Sequence, residues 1–98
     1  MNDQRFFSRV CHNWECSVLK DDMAYDGVII NDSQDGFAIQ LKEDIIICEN
    51  DNICVTIKSE LDDKPALLFY YVNVRHVRYI DNDIIFGCYI VSIDDKYI

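Results

Sequence analysis

The sequence predicts an all-β fold. Apolar residues recur with period two along most of the chain. Clusters of Asp, Asn, Ser and Gly interrupt that alternation at short intervals, and almost no stretch has the 3.6-residue period of a helix. Six or so strands at this spacing make a barrel or a sandwich.

The first strand lies within residues 10–18, with Trp14, Cys16 and Val18 on one face and Asn13, Glu15 and Ser17 on the other. Lys20-Asp21-Asp22 turns the chain into a second strand, Tyr25 to Asn31, carrying the β-branched run Val28-Ile29-Ile30. Asp32 to Gly36 is a tight connection to a short third strand whose Phe37, Ile39 and Leu41 share a face. Ile45 to Cys48 is apolar with no clear period, and Glu49-Asn50-Asp51-Asn52 is a turn. Ile53, Val55 and Ile57 then alternate with Cys54, Thr56 and Lys58 in a half-buried strand. Glu60 to Pro65 reads as a charged loop. A long strand from about Ala66 to Ile80 and a last one from Ile84 to Ile93 flank an Asp81-Asn82-Asp83 hairpin turn. On the long strand, simple alternation turns Arg75 outward, where it either approaches a bound ligand or, the favoured reading, merely solvates the wall, and puts His76 on the apolar face of Val72 and Val74.

Ninety-eight residues, half of them apolar and only one proline, make a single globular domain. Nine basic against eighteen acidic residues give a net charge of −9, which opposes binding to a nucleic-acid polymer or an anionic membrane surface. The positive charge is nevertheless concentrated. The lysines are scattered singly, whereas the four arginines form two pairs, Arg5/Arg9 and Arg75/Arg78. Arginine's planar fork of donors suits phosphates and guanine edges, although such pairs also arise simply by facing local carboxylates.

Five cysteines, Cys11, Cys16, Cys48, Cys54 and Cys88, with no CxxC spacing and no signal peptide read as reduced thiols, buried as small hydrophobes in a cytoplasmic protein. Cys11, His12 and Cys16 match no common zinc-ligand spacing, so neither a metal nor a resident cofactor is expected. No apolar run is long enough for a membrane-spanning helix, which predicts no direct membrane insertion.

Two short motifs stand out. Arg5-x-x-x-Arg9 precedes the first strand, and Asn31-Asp32-Ser33-Gln34-Asp35-Gly36, of the form Asn-x-Ser-x-x-Gly, follows the second. Each is weak alone, and the second is ordinary turn chemistry. In combination and order, within an all-β domain of this size, they resemble the PilZ family. Val72 to Arg78 is similar to that family's penultimate strand, and Ile85 to Ile90 to the Gly-x-x-Phe strand that ends the barrel.

The resemblance covers Arg5 to about Ile93. It implies a six-stranded antiparallel β-barrel over residues 10–98 with a flexible ligand-clamping leader over residues 1–9. It also implies a non-enzymatic receptor for the bacterial second messenger cyclic di-GMP. By that resemblance Arg5 and Arg9 clamp guanine and phosphate, Asn31, Ser33 and Gly36 form the floor for one base, and the ordered leader signals to a protein partner. Arginine is chemically suited to both ligand parts, since its fork reads the N7/O6 edge of guanine and pairs with phosphate. Gly36 either allows close backbone approach or takes a positive φ.

Phe6 or Phe7 serves best as an anchor of the leader against the barrel. Gln4 stands where many family members carry a further arginine, which leaves open whether one or two ligand molecules bind. The acidic surface opposes a dianion at long range, so the arginines must outweigh it. The alternative is a nucleotide-independent PilZ-like adaptor that binds a protein through its acidic surface. No nucleophile–base pairing is visible, which argues against an enzyme.

Overall fold

A computed structural model describes residues 14–42 and 45–97. Six strands follow in order: β1 (Trp14–Lys20), β2 (Met23–Asp32), β3 (Gly36–Leu41), β4 (Asn52–Leu61), β5 (Lys64–Ile80) and β6 (Asp83–Tyr97). They close into an antiparallel barrel in the order β1-β2-β3-β6-β5-β4. The seam between β1 and β4 is short, joining Ser17–Leu19 to Cys54–Thr56. Closure pairs the edges that an open sheet would leave free, although β6 past Tyr89 is paired on one side only.

The inward residues are those the period-two pattern selects. Val18, Ile29, Ile39, Leu41, Val55, Val72, Val74 and Phe86 are fully buried, each contributing roughly 1.5–3 kcal/mol by leaving water. Phe37 meets Tyr70 edge-to-face, with ring centroids 5.0 Å apart. Residues 45–51 link the two halves of the sheet and drop Ile47 into the core. That segment is tied down by the Tyr79 hydroxyl, which donates to the Ile47 carbonyl at 3.1 Å, and by Asn50 N–H, which donates to the Val74 carbonyl at 2.7 Å.

The hairpin turns account for part of the acidic excess. Asp21 and Asp22 have φ of 53° and 66°, and Asp62 and Asp63 have 55° and 65°. Two consecutive positive φ values make a type I′ turn, whose twist matches its flanking strands. Aspartate tolerates that conformation better than most residues. The expected loop from Glu60 to Pro65 is therefore only two residues long. β4 runs through Leu61, β5 starts at Lys64, and Pro65 pairs with Glu60 at the strand's beginning, where its missing N–H costs little.

β6 also runs further than alternation suggests. Past Tyr89 it leaves β3 and pairs with β5 alone, as far as Tyr97 opposite Ala66. This extension carries exposed Val91, Ile93 and Tyr97, and the Tyr97 hydroxyl donates to the Asp62 carboxylate at 2.8 Å. No helix is long and apolar enough to cross a membrane among the described residues.

Candidate functional site

Asn31 and Asp32 end β2, and Gly36 begins β3. The connection between them is pinned from both sides. Ser33 N–H donates to the Gly36 carbonyl at 2.9 Å, and Ile90 N–H of β6 donates to the Asp35 carbonyl at 2.8 Å. The Ser33 hydroxyl lies a long 3.5 Å from the Gly36 carbonyl, and the residue is exposed, so its oxygen is available to a ligand. Asn31 is exposed as well. A bulge between Ile29 and Asn31 sets the phase of this strand end.

Gly36 is required for a reason the motif alone does not disclose. Its φ is not positive. A Cβ built on it would sit 1.9 Å from the Cys88 carbonyl oxygen, so close approach by β6 is what excludes a side chain. The close approach expected at this glycine is real, and within the chain it is made by the neighbouring strand.

Asn31, Ser33 and Gly36 share a shallow cavity of about 290 Å³ on the outer barrel wall, at the small end of ligand-site volumes. Its far side is formed by Arg75 and His76 of β5, and Ala38 and Gly87 lie between. Arg5 and Arg9 lie outside the described residues, as do Gln4, Phe6 and Phe7.

His76 departs from simple alternation, and the cause is a second bulge. Val74 pairs with Cys88 and His76 with Gly87, leaving Arg75 as the extra residue. Before it, Val72 and Val74 point inward. After it, Val77 stands opposite Phe86 and Tyr79 opposite Ile84, so the inward positions become odd-numbered. His76 is therefore exposed on the outer wall rather than on the face of Val72 and Val74. Arg75 does face outward as alternation suggests, but it lines the cavity with the Asn-x-Ser-x-x-Gly turn instead of merely solvating the wall.

Two larger depressions lie elsewhere. One, of about 590 Å³, borders Lys20, Asp51 and Tyr71. The other, of about 1010 Å³, sets Glu15 and Asp26 beside Lys42 and Lys58. Neither is lined by an arginine, whereas Arg75 lines the smaller cavity together with Asp32 and Asp35.

The cysteines divide. Cys16 and Cys88 are buried, and burial pushes both thiols up to about 12, which makes them unreactive at neutral pH. Cys54 is half-buried, and burial raises it too. Cys48 is exposed, contrary to the expectation of uniformly buried thiols, because it sits in the irregular segment before β4. Cys11 and His12 lie outside the described residues. Among the described residues no group of three His, Cys, Asp or Glu side chains converges as a metal site. No family model, curated protein or solved structure matches the chain.

Proposed function

We propose that this chain is a PilZ-like receptor domain for cyclic di-GMP, which acts in the cytoplasm by binding and signalling rather than by catalysis. The observation that carries this reading is the meeting of the Asn31-x-Ser33-x-x-Gly36 turn and Arg75 around one outward cavity. The turn offers amide and hydroxyl groups for a base edge, and the arginine offers a fork of donors for a guanine or phosphate. Arg5 and Arg9 complete the ligand's cationic partners in this proposal.

Ligand binding orders the leader through contacts made only in the bound state, and a partner protein reads the altered surface. The ligand is a small cyclic dinucleotide rather than a nucleic-acid polymer, consistent with a net charge of −9 that repels an extended polyanion.

Isothermal titration of the protein with cyclic di-GMP tests the reading. The expected result is saturable binding that Arg9→Ala and Ser33→Ala each weaken. Absence of binding by the wild-type protein at tens of micromolar overturns it. A protein partner captured equally well with and without nucleotide, and after Arg5→Ala/Arg9→Ala substitution, identifies the nucleotide-independent adaptor instead.

A further inference from the structure

A row of cross-strand neighbours runs over the outer wall: Asn31 on β2 pairs with Ala38 on β3, Ala38 with Gly87 on β6, and Gly87 with His76 on β5. Three strand spacings separate its ends, about 14 Å. Between those ends the wall carries only a methyl group and a hydrogen. The rows on either side are covered, one by Val28, Gln40, Ile85 and Arg78, the other by Tyr89 and Asn73 beyond Gly36. The result is a bare lane with side chains standing along both margins.

The fold does not require that bareness. Gly87 has no positive φ. A Cβ there would meet nothing nearer than the His76 Cδ2 at 3.8 Å and the Phe37 carbonyl oxygen at 4.0 Å, which is ordinary contact. Glycine inside a strand weakens it, and it often marks a bulge or close approach by a ligand or another backbone. Gly87 lies opposite the β5 bulge, and the space at its Cβ position leaves room for a ligand as well. At the β5 end of the lane, the bulge sends Arg75 and His76 outward in succession. Among the described residues Arg75 forms no ion pair, since the salt bridges involve only Lys20 and Lys42. Asp32 and Asp35 line the same cavity, but neither is within ion-pair distance of this arginine.

We propose that the Ala38–Gly87 lane seats one guanine of the ligand and that Arg75 is the residue that selects guanine, an inference that rests on the cyclic di-GMP reading above. A flat base lying in the lane can point its N2 amine toward one end and its N7 toward the other. Asn31 and Ser33 accept from the N1 and N2 donors at one end. The Arg75 guanidinium donates to the N7/O6 pair at the other, the acceptor pattern that distinguishes guanine from adenine. The β-bulge is the device that aims it, a role bulges serve next to functional sites.

The test is titration of wild type, Arg75→Ala, Gly87→Val and Arg78→Ala with cyclic di-GMP and with cyclic di-AMP, alongside thermal melts. Losing a charge-assisted contact should weaken cyclic di-GMP binding by about tenfold or more in Arg75→Ala. Cyclic di-AMP binding should be unaffected by that change, so the preference between the two nucleotides collapses. Gly87→Val should melt like wild type and bind neither nucleotide, and Arg78→Ala should behave as wild type. Wild-type binding that both Arg75→Ala and Gly87→Val retain at full strength and selectivity overturns this inference and leaves the receptor reading standing. A wild-type protein that binds no cyclic di-GMP overturns both. If Gly87→Val unfolds, the open space argued for its Cβ is wrong, and the nucleotide preference of Arg75→Ala decides the assignment.

Discussion

Two adjoining rows of the outer wall answer opposite demands. In one, Gly36 faces Tyr89, and the Cys88 carbonyl occupies the space where a Cβ would be. In the next, Gly87 lies between Ala38 and His76, and its Cβ position is open. The first glycine belongs to the barrel's own packing. The second faces the β5 bulge and has room for a side chain, so packing does not exclude a Cβ there and the space is open to something outside the barrel. The sequence motif contains Gly36 and omits Gly87, yet in physical terms Gly87 is the one left available to a ligand.

The contrast is calibrated by the core immediately beside it. Phe86 precedes Gly87 on β6, points inward and is fully buried. Phe86→Ala should lower stability by about 4 kcal/mol in urea unfolding, the largest effect expected here. Gly36→Ala should lower it by about 3 kcal/mol, because the clash is with a carbonyl oxygen held in the β3–β6 ladder. A loss below about 1 kcal/mol would erase the distinction between the two rows.

The buried thiols, Cys88 on the inner side of this wall and Cys16 on β1, give a pH test of the core. Cys16 and Cys88 titrate near 12 when folded, against about 8.5 in an unfolded chain. The unfolded state therefore loses these protons first, and stability falls as pH rises through the window from about 9 to 12, by up to about 1.4 kcal/mol per pH unit for each thiol. Below about pH 8 their contribution should be fully present. Cys88→Ala should flatten this alkaline slope in urea titrations. In native alkylation at pH 8, exposed Cys48 should react well before Cys16 and Cys88. The smallest expected effect is the most pointed: Gly87→Val should change stability by less than about 0.5 kcal/mol. A loss near that of Gly36→Ala would show that both glycines serve packing alone.

Most of the barrel was legible because its strands bury one face, and burial imposes period two. Trp14-Cys16-Val18, Phe37-Ile39-Leu41 and Ile53-Val55-Ile57 each keep to the faces that alternation assigned them. The turns were harder to read, since Asp21-Asp22 and Asp62-Asp63 take on work usually given to Asn-Gly, and Asp62-Asp63 read as part of a loop. The end of β6 was obscured by Asp94, Asp95 and Lys96, which pair in the ladder while remaining exposed.

The site was half legible. Asn31, Ser33 and Gly36 form a contiguous motif, whereas Arg75, His76, Ala38 and Gly87 come together only through strand register. The bulge at Arg75 adds a single residue and inverts every later assignment on β5, and no local composition announces it. The available signal was the change in apolar phase, from Val72 and Val74 to Val77 and Tyr79.

The central claim, that the bare lane is the ligand's seat, is tested most directly by mapping backbone amide shifts of the ¹⁵N-labelled protein during titration with cyclic di-GMP. The predicted result is perturbation centred on Asn31, Ser33, Ala38, Arg75 and Gly87, with Glu15, Asp26 and Lys58 at the larger cavity unmoved. Shifts centred on that larger cavity, or no shifts at saturating nucleotide, would contradict it.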